Sequence, residues 1–335
     1  MNKTQKSIII TLAIILAIII ALVSTLLIIT TVGKRQFHKE DTHISTEQIV
    51  VEDEETVSYN GKEYVLNKNI ISVLFMGIDR DNIEENLGFG NNGQADCIFV
   101  AALNTATKKV TIIPLSRETM VDMNIYTADG AFAGVQRQQL CLSYAYGDSP
   151  ESCSENMMNS VRRILYGINI SSYVTIEMEG IEKLTSLIGG VQVNCLEEIH
   201  YGKFQYYKGQ KLNLLGDEAR FYITHRDDDL EANARRMARQ KQFLSSLAST
   251  AGNKIIEDFT RLSDYHTALS PYFTTNVSLY QLTYLASNFL SLNLGDSLEY
   301  KIIEGTLTQG EKWVEFTADE QSVLEVIMDT FYIEK

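Results

Sequence analysis

The sequence predicts a layered α/β domain, an α-β-α arrangement around a central mixed sheet, preceded by one N-terminal transmembrane helix. Strand-like and helix-like patterns alternate from residue 57 onward, the order that lays helices over a sheet. Residues 70–77 (IISVLFMG), 97–103 (CIFVAAL) and 110–115 (VTIIPL) are apolar runs of strand length, as strands covered on both faces require. Ahead of them, residues 8–32 are apolar except for Thr11, Ser24, Thr25, Thr30 and Thr31. About 20 apolar residues cross a bilayer. The run is too long for a cleavable signal and no small-residue cleavage site follows, so it predicts an uncleaved signal anchor.

The elements follow in order. Residues 1–7 form a short tail with Lys3 and Lys6, while Lys34, Arg35 and Lys39 lie beyond the anchor, so basic residues alone leave the orientation open. A short tail before a large domain favours the tail inside and the domain on the extracytoplasmic side of the cell membrane. Residues 33–56 predict an acidic spacer, since residues 40–55 hold seven acids and no Lys or Arg. The domain then spans 57–335. Asn60-Gly61 predicts a two-residue hairpin turn between strands at 57–65. The apolar runs at 97–103 and 110–115, joined by 104–109, predict a second hairpin. Helices are expected at about 135–146 and from a Ser152-x-x-Glu155 capping box to Leu165. A strand at 174–178 and a helix at 181–188, stopped by Gly189-Gly190, precede a strand at 191–194. From about Glu231 a helix carries Met237, Leu244 and Ala248 on an apolar stripe, with Arg236, Gln240, Phe243 and Leu247 on the neighbouring face. Helical patterns at 253–263, 279–291 and 319–331 and a strand near 298–304 complete the domain.

The formal charge of −14 argues against nucleic acid as a partner. Cys97, Cys141, Cys153 and Cys195 lack metal spacing; Cys141 and Cys153 flank a short loop, where an external domain would allow a bridge. The five histidines show no metal spacing, and there is no Walker loop or G-x-S-x-G. Gly88-x-Gly90-x-x-Gly93 precedes a strand instead of following one, so it reads as a loop. Carboxylates and arginines are the better lead. Asp79 follows one strand, Asp96 opens the next, and Arg117 lies just past the third, at strand ends where α/β sheets gather ligands. Two carboxylates without histidine suit Mg2+, which takes one or two carboxylates plus phosphate oxygens. Forked guanidiniums from the Arg-rich stretch, 217–247, suit a phosphate or pyrophosphate.

Read in order, IISVLFMGIDR, GQADCIFVAALN, VTIIPLSRETMV, LIGGVQVN and NARRMARQ resemble the LytR-CpsA-Psr family of membrane-anchored glycopolymer transferases of bacterial cell walls. The resemblance covers about residues 70–247. It implies a phosphotransferase that moves a glycopolymer, with one phosphate, from an undecaprenyl-pyrophosphate carrier to peptidoglycan in cell wall assembly. It implies that Asp79 and Asp96 hold magnesium, with Arg117 as a catalytic partner. Arg226, Arg236 and Gln240 match the family's phosphate-binding positions. Arg80 and Arg239 join the expected pyrophosphate set as compensating charges. Thr224, Gln94 and Glu118 depart from the family pattern, where Arg, Arg and Asp are usual. Two other activities stay open on the same site, a lipid-pyrophosphate pyrophosphatase and a catalytically weak lipid-pyrophosphate-binding scaffold of wall assembly. A polyprenyl tail needs an apolar groove, for which Tyr144, Ile164, Leu165, Ile181, Leu184 and Leu187 are the candidates.

Overall fold

The computed structural model describes residues 27–37, 56–78, 88–227, 232–257, 262–289, 298–310 and 313–335. Among them, a helix α1 (27–37) comes first. A hairpin follows, β1 (Val57–Tyr59) and β2 (Lys62–Leu66), with Tyr59 opposite Lys62 across the expected Asn60-Gly61 turn. Then come β3 (Ile70–Ile78), β4 (Ala95–Asn104) and β5 (Val110–Leu115), three antiparallel neighbours with Pro114 late in β5. β6 (Met120–Tyr126) and β7 (Phe132–Gln139) form a separate ribbon, closed by a 3-10 turn at Leu140–Ala145. α2 (Pro150–Ile164) leads to β8 (Ser172–Glu177), which pairs parallel to β3. After α3 (Met178–Ile188) come β9 (Val191–Asn194), β10 (Ile199–Tyr201), β11 (Phe204–Tyr206) and β12 (Lys211–Leu214). α4 (Asp217–Thr224), α5 (Ala232–Glu257) and α6 (Leu262–Leu269) precede β13 (Phe273–Thr275) and α7 (Leu279–Phe289). β14 (Leu298–Tyr300), β15 (Gly305–Gln309), β16 (Val314–Ala318), α8 (Glu320–Phe331) and β17 (Tyr332–Glu334) finish the order.

The central sheet is mixed and six-stranded, in the order β13-β8-β3-β4-β5-β14. Side chains alternate across a strand, so β3 sends Leu74, Met76 and Ile78 to one face and Ile71, Val73 and Phe75 to the other. The first face packs on α2 and α8 through Met157, Val161, Ile327 and Phe331. The second meets Phe37 of α1 and Tyr284 of α7, and farther along it Leu244 of α5 and Phe289. This is the expected layered arrangement. A smaller core joins α3, α4 and α5 to the β9–β12 strands through Ile181, Val191, Tyr222 and Phe243. At the domain's opposite end of sequence, β17 closes on β2, with Lys62 2.8 Å from Glu334.

Several expectations need correcting. The stretch expected as a helix at 135–146 is β7 plus a 3-10 turn: residues 132–139 are mostly exposed and pair antiparallel to β6 as a two-stranded ribbon. α2 starts earlier than expected. Its N-cap is Ser149 with Pro150 at the first helical position, and Ser152 is the N3 partner of the capping box. α5 runs unbroken to Glu257 and a new helix starts at Leu262, so the pattern at 253–263 belongs to two helices. The four cysteines are free, and Cys141 and Cys153 are buried separately without a bridge. The acidic stretch does not start at residue 33 as a spacer, because Gly33 and Phe37 are buried against the domain. No helix among the described residues is long and apolar enough to cross a membrane, and residues 1–26 of the expected tail and anchor lie outside the described residues. The expected helix at 181–188 is found, ended by Gly189 in the left-handed conformation that glycine adopts at low cost.

Candidate functional site

The site gathers at one end of the central sheet, where three local features deliver its side chains. β4 begins at Ala95, so Asp96 stands at its mouth. β5 ends at Leu115, and a tight turn in which Thr119 donates to the Ser116 carbonyl holds Arg117 beside it. α5 crosses this edge and presents Arg236 and Gln240 one turn apart. Asp96, Arg117, Thr224, Arg236 and Gln240 all line one cavity of about 370 Å³. Of the sequence-predicted set, Asp96, Arg117, Arg236 and Gln240 are brought together here. Asp79 and Arg80 lie outside the described residues.

The contacts are those of a compact charge cluster. Arg117 donates through Nη1 to the Asp96 carboxylate and through Nη2 to Gln94 Oε1; Nη2 also lies 3.5 Å from Cys141 Sγ. Arg236 Nη1 is 3.9 Å from the other oxygen of Asp96, and Arg236 itself is only 4% exposed. Glu118 lies 3.9 Å from Arg117 Nε and accepts from the Ser116 hydroxyl at 2.8 Å. Burial lowers the Arg236 pKa, opposed by Asp96 and Glu118 and reinforced by the positive charges of Arg117 and Arg226. Arg117 shifts the other way: burial pulls it down, but Asp96, Cys141 and Glu118 outweigh that and raise it. Arg236 is thus a deeply buried cation beside Asp96, placed where an incoming anion would meet it and Arg117 together.

The other predicted residues separate into two groups. Arg226 is exposed on the loop after α4, within electrostatic reach of Arg236. Gln240 donates to the Ile223 carbonyl at 3.1 Å, tying α5 to the end of α4. Arg239 does not face the cavity, contrary to its place in the expected pyrophosphate set. Its guanidinium is 1% exposed and is spent on Glu197 and on the carbonyls of Tyr222 and His225. These partners hold its guanidinium away from the cavity, so Arg239 braces the loop instead of reaching the ligand. Arg235 pairs with Glu197 at 2.9 Å and Asp227 at 3.2 Å. Of the departures, Gln94 engages Arg117, and Thr224 donates to the Arg220 carbonyl at 2.9 Å while lining the cavity.

Behind the charged mouth the cavity is apolar. Its walls include Phe75 and Phe99 of the sheet, stacked with centroids 5.0 Å apart, with Val174, Leu244, Leu247 and Phe273. Ile181 and Leu184 line it as expected. Tyr144, Ile164 and Leu165 do not, because they sit in the core on the other face of the sheet, and Leu187 is not among its walls. The Phe75 and Phe99 walls were available in the sequence as the alternate positions of the two apolar strands. Glu197, which grips Arg235 and Arg239, carried no sequence signal. Cys97 also lines the cavity, and burial pushes its thiol up to about 11. Among the described residues there is no group of three or more acidic, His or Cys side chains placed to hold a metal.

Known proteins are similar to this chain in sequence and in fold. The LytR_cpsA_psr family model matches residues 30–328. The polyisoprenyl-teichoic acid–peptidoglycan teichoic acid transferase TagU of Enterococcus faecalis is 27% identical over 71% of this chain and 72% of its own length. The teichoic acid transferase TagV of Bacillus subtilis is 26% identical over 54% of this chain and 44% of its own length. In the crystal structure of B. subtilis TagV the fold recurs with a TM-score of 0.63 at 21% identity, covering 79% of this chain and 97% of that one. A structure of TagT bound to LI-WTA aligns with a TM-score of 0.58 at 20% identity, over 78% and 90%. With its motifs in order and the family model spanning nearly all of the described domain, this chain belongs to the LytR-CpsA-Psr family.

Proposed function

We propose that the chain is a membrane-anchored phosphotransferase that moves a glycopolymer from an undecaprenyl-pyrophosphate carrier to peptidoglycan. The observation that carries this reading is the convergence of Arg117 and the buried Arg236 on the mouth of a cavity whose interior is apolar. A ligand that satisfies both has an anionic head and a long hydrocarbon tail, which is the chemistry of a polyprenyl pyrophosphate. In this reading Arg117, Arg226, Arg236 and Gln240 orient the pyrophosphate, and the apolar walls take the first part of the tail. The acceptor hydroxyl attacks the phosphorus attached to the glycan. The bond to the polyprenyl phosphate breaks, polyprenyl phosphate leaves, and the hydroxyl proton passes to Asp79 or Asp96. Positioning and charge stabilisation supply most of the rate in such transfers.

Asp96 is a fitting half of a magnesium site. Its carboxylate faces the cavity and is 14% exposed, so it can offer oxygen to a hard cation once the pyrophosphate and Asp79 provide the remaining oxygens. Magnesium, when bound, would neutralise charge on the pyrophosphate. The test is turnover by the full-length protein in lipid with a lipid-pyrophosphate sugar and peptidoglycan oligomers. Phosphate-linked product is expected with magnesium and not with chelator, and Asp96→Asn should stop turnover while its melting temperature stays near that of the parent. Free phosphorylated glycan would instead identify a pyrophosphatase, and binding without turnover a scaffold.

A further inference from the structure

α1 is built into the domain. Gly33 is buried against the first turn of α7, and a Cβ at that position would lie 2.2 Å from the Tyr280 carbonyl oxygen and 2.9 Å from Tyr284 Cβ. The two backbones approach as closely as only glycine allows. One turn on, Phe37 is buried with its ring 6.4 Å from that of Tyr284, in a cluster with Ile71 and Val73 of the central sheet. Between them, Gln36 accepts a hydrogen bond from the Ser278 hydroxyl at the head of α7. Residues 33, 36 and 37 thus form the docked face. Other residues of the helix look outward: Leu27 and Ile28 are 61% and 63% exposed, and Lys34 and Arg35 are exposed. Beside them, Leu279 and Tyr280 of α7 are 45% and 47% exposed.

We infer that α1 and the first turn of α7 form one membrane-facing surface that seats the domain directly on the lipid bilayer. This rests on the membrane-anchored reading proposed above. The occupant follows from the chain itself. Residues 8–26 lead straight into Leu27 and are apolar except for Thr11, Ser24 and Thr25. An exposed tyrosine beside Lys34 and Arg35 has the composition that headgroup-level positions favour. Phe37 already packs on the central sheet, so the chain reaches the domain ahead of the acidic stretch. The seat also reaches the cavity. Phe75 and Val174 pack on the Phe37–Tyr284 cluster and line the cavity as well, so α1 is one layer of side chains from the cavity wall. With α1 docked in this way, the orientation of the cavity relative to the membrane is set by that helix.

The test places a fluorescent reporter on the seat. Trp313, the only tryptophan of the chain and exposed, is changed to Phe, and Tyr280→Trp is introduced in the full-length protein reconstituted in nanodiscs. Nitroxide-labelled lipids with the label near the headgroup should quench this tryptophan strongly, and aqueous acrylamide only weakly. Adding Gly33→Leu should abolish the lipid quenching, because the side chain cannot fit against Tyr280, while the protein stays in the disc. If the Tyr280→Trp protein is retained in the disc but is quenched only from water, the seat is refuted and the anchor reading survives. If the protein does not stay in the lipid at all, the anchor reading itself fails. Gly33→Ala, with the smallest possible Cβ, covers the case in which leucine prevents folding: it should reduce lipid quenching, and full retention of quenching would refute the docking.

Discussion

At the scale of single residues, the site turns on how two arginines differ. Arg117 is engaged by Asp96 and Gln94, whereas Arg236 is more deeply buried and has its pKa lowered by that burial. Arg236→Lys keeps the charge and loses the planar fork. A charge-assisted hydrogen bond contributes roughly 1.5–3 kcal/mol, so turnover should fall about 10- to 100-fold. A steady-state assay should show that loss with little change in the unfolding midpoint. The thiols allow a second test. Burial raises the pKa of Cys97 to about 11 and raises those of Cys141 and Cys195 as well. A thiol with a raised pKa is mostly protonated at neutral pH and gains thiolate as the pH climbs toward that value, so native alkylation should be slow and should accelerate with pH. Mass spectrometry after unfolding in alkylating reagent, without reductant, should find all four cysteines modified. A missing pair of adducts would show a bridge.

At the scale of elements, the Glu197 clasp decides whether α4 and α5 hold their angle. Glu197 grips Arg235 and Arg239, and Arg239 in turn holds the carbonyls of Tyr222 and His225 beside the loop that carries Arg226. Removing the carboxylate leaves the buried Arg239 with its carbonyl partners alone, and an unsatisfied buried donor costs about 1–3 kcal/mol. Glu197→Ala should therefore lower stability in a denaturant titration by an amount in that range, unlike Arg236→Lys. The sequence showed the strands clearly because β3, β4 and β5 are covered on both faces and must be apolar throughout. It showed Arg236 and Gln240 because four-residue spacing on a helix is a local property. It could not show Glu197, whose partners lie about forty residues away in sequence and are met only after the β9–β12 region folds back. It misread β7 for the opposite reason: a two-stranded ribbon buries little, so its residues carry no strand-like apolar pattern to set against a helical one.

At the scale of the whole molecule, a charged mouth and an apolar interior lie on the same side of one sheet. Filling that interior should separate binding of the tail from binding of the head. Leu184→Trp, on the α3 wall, places a large side chain in the cavity while Asp96, Arg117 and Arg236 stay in position. Turnover of a long polyprenyl substrate should drop several-fold through KM, while a short-chain analogue should be affected less. Equal losses on both would mean that the tail lies elsewhere.

The closure of β17 on β2 bears on how the protein is made. The Lys62–Glu334 pair joins residues separated by 272 positions, and all three backbone pairings of β17 are to β2. Synthesis proceeds from the amino terminus, so the hairpin that opens the domain is finished long before the strand that covers its edge exists. Until then β2 presents an unpaired edge, the feature most prone to pairing with the wrong chain. A contact of such long range also forms slowly. A nonsense codon only a few residues before Tyr332 would release a chain with its central sheet complete and that edge still open, making truncation there a route to aggregation instead of a harmless trim.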